Sequence, residues 1–128
     1  MEMDENDISR VVVEAAIEVH RELGGPGLLE SVYEEALAYE LRDQGLKVER
    51  QVRVPLAYKG RKLDSDFRLD LLVNGLVIIE CKAASVHNPI FESQTLTYLR
   101  LLGLKLGMVV NFGKPRVSDG IRRVVNGL

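Results

Sequence analysis

Apolar residues near the start of the chain recur at helical spacing. Ile8, Val11, Val12, Ala15, Ala16, Val19 and Leu23 fall three and four residues apart and predict an amphipathic helix over residues 8–23. Gly24-Gly25-Pro26-Gly27 ends it. A second helix is expected over residues 28–44, with a stripe of Leu29, Val32, Tyr33, Ala36, Leu37 and Leu41 and a stop at Gly45.

The period then changes to alternation. Val48, Val52, Val54, Leu56 and Tyr58 share one parity, whereas Lys47, Glu49, Gln51 and Arg53 share the other. Pro55 marks an edge strand or a bulge. Lys59-Gly60-Arg61-Lys62 reads as a turn, followed by strands over residues 63–73 and 76–84. Asn88 suits a helix cap with Pro89 in the first helical position, and the helix runs to Leu102 before Gly103. A short apolar strand over residues 108–112 and a final short helix over residues 121–125 complete the chain. The expected fold class is α/β, with one parallel crossover on an antiparallel meander.

The turn at Asn74-Gly75 decides which side chains share a face. A two-residue loop would pair Val73 with Leu76 and mix charged and apolar groups on both faces. A three-residue loop of Val73, Asn74 and Gly75 pairs Leu72 with Leu76 instead. Leu69, Leu71, Val77, Ile79 and Cys81 then form an apolar face, and Asp70, Leu72, Ile78, Glu80 and Lys82 form the other. Slipping one residue exchanges the faces, so burial selects the second parity. In this register Asp70 is opposite Ile78 and diagonal to Glu80. Diagonal backbones lie about 7–8 Å apart, within the span of two carboxylates sharing one cation.

Two acids and a lysine thus converge. Carboxylates this close repel each other, and a cation relieves the repulsion. Oxygen ligands suit Mg²⁺ or Mn²⁺, and an adjacent ammonium can support charge developing on a phosphate. An ion pair between Lys82 and either acid on a solvated face is the plainer alternative.

Composition adds limits. The 128 residues suit one domain over residues 1–128, and the single cysteine, Cys81, excludes an internal disulfide. No apolar run approaches membrane-spanning length and no signal core opens the chain, so the expected location is the cytoplasm. Net charge is −2, but residues 1–44 sum to −9 and residues 45–128 to +7. This asymmetry fits either a basic binding face or helices with acidic solvent faces.

Asp70 with Glu80-Cys81-Lys82 resembles the acid and E-x-K core of the PD-(D/E)xK nuclease superfamily. Gln94-Thr95-Leu96-Thr97-Tyr98 resembles the Q-x-x-x-Y motif of its RecB-like branch. Gly27-Leu28-Leu29-Glu30-Ser31-Val32-Tyr33 is similar to the signature of the GxxExxY proteins. Leu69 stands where the superfamily name has proline, and the Gly24-Gly25-Pro26 approach is one residue longer than usual.

The resemblance implies a restriction-endonuclease-like core, a mixed four-stranded sheet in α-β-β-β-α-β order with an extra N-terminal helix. It implies Asp70, Glu80 and Glu30 as metal ligands, with the Cys81 carbonyl as a further oxygen. Lys82 would be the catalytic ammonium, with Gln94 and Tyr98 orienting the site. The implied activity is Mg²⁺- or Mn²⁺-dependent hydrolysis of DNA or RNA; the alternative is a catalytically silent module that binds nucleic acid or a protein. A domain this small leaves room for a homodimer or a protein partner. Several of these residues also have structural readings. Glu30 suits the first turn of its helix, Tyr33 the core, and Cys81 a buried inert thiol. Asp66 shares the parity of Asp70 but ranks below it as a ligand.

Overall fold

In the computed structural model, which describes residues 2–128, the first helix starts at a reciprocal cap. The Asp4 carboxylate accepts the Asp7 N–H at 2.8 Å, and Asp7 accepts the Asp4 N–H at 3.0 Å. Helix α1 (Glu5–Glu22) therefore begins before its apolar stripe, and α2 (Glu30–Asp43) follows the glycine-rich loop. Strands β1 (Val48–Tyr58), β2 (Arg61–Val73) and β3 (Val77–Lys82) form the meander. Helix α3 (Ile90–Leu102) crosses over to β4 (Leu106–Asn111), and a 3-10 turn at Val117–Gly120 leads to β5 (Ile121–Val125). Helix α3 starts one residue later than expected, with Pro89 as its N-cap, and the Asn88 side chain, one residue further out, accepts the Ile90 N–H at 3.0 Å.

The sheet order is β1-β2-β3-β4-β5; β3 and β4 are parallel and the other neighbours antiparallel. Five strands replace the expected four, because residues 121–125 form a strand rather than a helix. Every residue of β4 is buried. Its outer row of backbone groups needs partners away from water, and β5 supplies them.

Helices α1 and α2 cover one face of the sheet, packing Ile8, Val12, Leu37 and Leu41 on Leu71, Val73, Val77, Ile79 and Cys81. Helix α3 covers the other, where Tyr98 and Leu99 meet Val54, Leu69, Ile78 and Val124. Gly107 permits this close approach, since a Cβ there would lie 2.4 Å from Thr95 Cγ2.

The hairpin between β2 and β3 departs from expectation in an instructive way. Asn74 and Gly75 both adopt left-handed backbone, and the Leu76 N–H closes the turn on the Val73 carbonyl at 3.0 Å. The extra residue is Leu76, so Val73 pairs with Val77 and Leu72 with Ile78. The expected parity holds, but the pairing moves by two residues. Burial fixes parity alone; the Asn-Gly turn fixes which residue is extra. Continued one step beyond Leu71 and Ile79, this register puts Asp70 directly opposite Glu80, not diagonal to it.

A second correction concerns Leu69, expected on the face of Leu71. It packs with Ile78, Tyr98 and Leu99 beneath α3, whereas Leu71 lies beneath α1 and α2. The strands therefore change face across Asp70. The cause is visible in β1: Gln51, which stands across from Asp70, has φ of 53°, and the ladder skips this pair. A left-handed residue breaks the pleat and reverses the alternation beyond it.

Candidate functional site

Where the pleat breaks, side chains take over the work of the backbone ladder. The Asp70 N–H donates to Glu80 Oε2 at 2.9 Å, and the Cys81 N–H donates to Asp70 Oδ2 at 2.8 Å. Each acid thus accepts a main-chain hydrogen bond from the opposite strand, and the pair is locked where β2 and β3 part. Glu80 is 5% exposed. Burial and then the Asp70 charge push its carboxyl from 4.5 up to about 8.

Two carboxylates of α2 approach this pair. Glu30 opens the helix; burial pushes its pKa up, the Lys82 charge draws it down, and Asp70 raises it again. Glu34 lies one turn further along the same helical face and is buried. Its pKa is also raised, by burial and then by Asp70. Arg50 donates to Glu34 Oε2 at 3.1 and 3.2 Å, and the Gln51 amide donates to Glu34 Oε1 at 2.8 Å. The same amide nitrogen lies 3.5 Å from Asp70 Oδ1. Gln51 therefore bridges the two acids, and its unusual backbone angle aims it there. Sequence reasoning placed Gln51 on a polar face and overlooked Glu34, whose spacing of four from Glu30 was the available signal.

Lys82 ends β3, half-buried, with its ammonium 4.9 Å from the centre of the Phe91 ring. Among the described residues no carboxylate lies within ion-pair distance of it. The plain Lys82–Asp70 or Lys82–Glu80 salt bridge is therefore not formed. Asn111 fixes the strand end beyond Lys82: it accepts the Ala84 and Gly113 N–H groups at 2.9 Å and donates to the Ala84 carbonyl at 2.9 Å. Phe112 N–H holds the Lys82 carbonyl at 2.8 Å.

Tyr98 is buried against Phe67 at 5.0 Å between ring centres; burial raises its hydroxyl pKa, and the charges of Glu80 and Asp70 raise it further. Gln94, one turn before it, is exposed and has no hydrogen-bond partner among the described residues. The structure thus draws together Asp70, Glu80, Glu30, Lys82 and Tyr98, and leaves Gln94 facing solvent.

Tyr33, Asp66, Cys81 and the two histidines have structural surroundings of their own. Tyr33 stacks on Phe112 at 4.6 Å. Its hydroxyl donates to the Gly25 carbonyl at 2.7 Å and accepts the Leu28 N–H at 3.2 Å, pinning the loop that delivers Glu30. Asp66 is engaged by Arg53. His20 Nε2 is 3.1 Å from the Phe112 carbonyl, and His87 Nε2 is 2.6 Å from Glu92. Cys81 is fully buried, and burial, then Asp70, keeps its thiol well above the ordinary range.

Among the described residues no three His, Cys, Asp or Glu side chains form a ready metal cage. The donor chemistry fits a hard cation all the same. The oxygens are carboxylate oxygens, and Asp70 and the buried Glu80 stand together with no Lys or Arg in ion-pair contact among the described residues. No helix among the described residues is long and apolar enough to cross a membrane.

Comparison with known proteins agrees with this geometry at the level of family. No curated protein and no solved structure matches the chain. A model of the PD-(D/E)XK nuclease superfamily matches residues 6–124, which takes in both site helices and all five strands except the last residue of β5. Such nucleases generally use divalent metal ions and act on nucleic acid. The match covers well over half of the chain, which belongs to the PD-(D/E)XK nuclease superfamily.

Proposed function

We propose that this protein is a Mg²⁺- or Mn²⁺-dependent nuclease that hydrolyses phosphodiester bonds of DNA or RNA. The observation that carries the reading is the crossed pair of hydrogen bonds that holds Asp70 and Glu80 face to face. Asp70 and Glu80 would hold the cation, and the Cys81 carbonyl and Glu30 would offer it further oxygens. When bound, the cation polarises the phosphate and lowers the pKa of a water. Lys82 keeps its ammonium free of a carboxylate, poised to meet charge that grows on the phosphate oxygens. Tyr98 lines the approach from α3. The resemblance to GxxExxY proteins of the RecB-like branch supports this assignment of roles, and Tyr33 gives the last position of that motif a physical task.

A second reading is favoured by one feature. Gln94 has no partner in the site, which suits a nuclease fold that binds nucleic acid or a protein without turnover. A cleavage screen on single-stranded DNA, duplex DNA and RNA with Mg²⁺ or Mn²⁺ separates the two. Cleavage by the wild type that Lys82→Ala abolishes supports the enzyme; no cleavage of any substrate supports the silent module.

A further inference from the structure

The far end of the β1–β2 hairpin is uncovered by any helix, and every residue from 57 to 65 is exposed. Between Arg53 and Arg68 the chain carries five bases and two acids, although its net charge is −2. One of those acids, Asp66, is engaged by Arg53. Among the described residues Lys59, Arg61, Lys62 and Arg68 have no carboxylate within ion-pair distance.

Two of the arginines are also placed against each other. Arg53 and Arg68 are direct cross-strand partners, an arrangement in which like charges repel. Val54, Phe67 and Leu69 turn toward α3, so alternation puts Arg53 and Arg68 on the opposite face. Four cations without a carboxylate partner among the described residues thus lie on the same hairpin whose second strand carries Asp70. At about 3.3 Å per residue, Arg61 stands roughly 30 Å along β2 from Asp70. That is the length of roughly nine nucleotides of a B-form strand.

We propose that this hairpin is a nucleic-acid-binding arm that grips the phosphodiester backbone leading into the Asp70–Glu80 site. The proposal rests on the nuclease reading and names the surface that recruits its substrate. Phosphates spaced along a strand match cations spaced along a hairpin, and they remove the Arg53–Arg68 repulsion. The recognised chemistry is the backbone shared by DNA and RNA.

Fluorescence anisotropy with labelled single-stranded DNA, duplex DNA and RNA, in EDTA so that no cleavage occurs, tests this directly. The variant is Lys59→Glu/Arg61→Glu/Lys62→Glu, whose side chains are exposed and leave the core intact. The charge-reversal control is Lys105→Glu/Arg122→Glu, also exposed but away from the hairpin. The arm variant should lose at least about tenfold in affinity at low salt, with the slope of log K against log salt flatter by about 2–3. The control should change binding by less than about twofold. Equal binding by wild type and arm variant, or equal losses in both variants, overturns the arm. Such a result, with the wild type still binding or cleaving, leaves the nuclease reading standing. A wild type that binds polyglutamate but no nucleic acid overturns the arm and the nuclease reading together.

Discussion

Glu80→Gln removes a charge while keeping a carbonyl oxygen for the Asp70 N–H. Burial and the Asp70 charge raise the Glu80 carboxyl from 4.5 to about 8 in the folded protein. A carboxyl with a higher pKa folded than unfolded binds a proton on folding. Its native state therefore loses stability as pH rises from about 4.5 to about 8, and is least affected below 4.5. Each pKa unit is worth ~1.4 kcal/mol, which puts a ceiling on the order of 4–5 kcal/mol above pH 8. Asp70 and Glu80 share the proton, so the visible effect is smaller, about 2–3 kcal/mol at neutral pH. For a chain of this size that is roughly 5–10 °C in melting temperature. Melting curves collected across pH should show Glu80→Gln above wild type near pH 8 and the two converging toward pH 4.5. Millimolar Mn²⁺ should then raise the wild type alone, by ~2.7 kcal/mol at a hundredfold excess over Kd. Parallel pH profiles for the two proteins would refute the claim that the fold stores unbalanced charge at Glu80.

Lys82→Ala should keep the Mn²⁺-induced rise in melting temperature but lose cleavage, because the ammonium contacts no carboxylate; thermal shift and a cleavage assay read the two effects separately. Tyr33→Phe should cost about 1–2 kcal/mol in chemical denaturation, since the Gly25 carbonyl and Leu28 N–H lose their shared partner. Cleavage should fall as well, because that loop delivers Glu30. Gly113→Ala should destabilise by more than about 2 kcal/mol, as the new Cβ would lie 2.4 Å from the Ala84 carbonyl oxygen, a backbone atom that cannot turn aside. An unchanged denaturation midpoint for that variant would mean the β3 and β4 ends are looser than their hydrogen bonds imply.

The helices and the β2–β3 parity were legible because one-sided burial writes a period into the sequence. Asp70, Glu80 and Lys82 emerged together for that reason. The two-residue change of register was not legible, because Val73 and Leu76 are both apolar and either can be the extra residue. Strand β5 is not legible from the sequence, because five residues with apolar ends and two arginines carry too little period to tell strand from helix. What settles it is the open side of β4, a tertiary requirement. Gln51 was hidden for a deeper reason: nothing in a glutamine announces left-handed backbone, which the surrounding acids and the Glu34–Arg50 pair impose. The motif resemblance supplied Glu30, but only the Tyr33 hydroxyl explains how its loop is held.

The left-handed backbone at Gln51 also governs how copies of this chain meet. Strand β1 is the rim of the sheet, with one row of backbone groups open to any passing strand. Gln51 breaks that row, Pro55 withholds an N–H, and a bulge between Pro55 and Ala57 bends what remains. Only Val52, Arg53 and Val54 lie in regular order between these interruptions, a stretch too short to seat a foreign strand. The distortion that brings Gln51 onto Glu34 and Asp70 therefore also guards against aggregation. A chain that straightened β1 would lose that bridge and expose a continuous edge for amyloid-like growth.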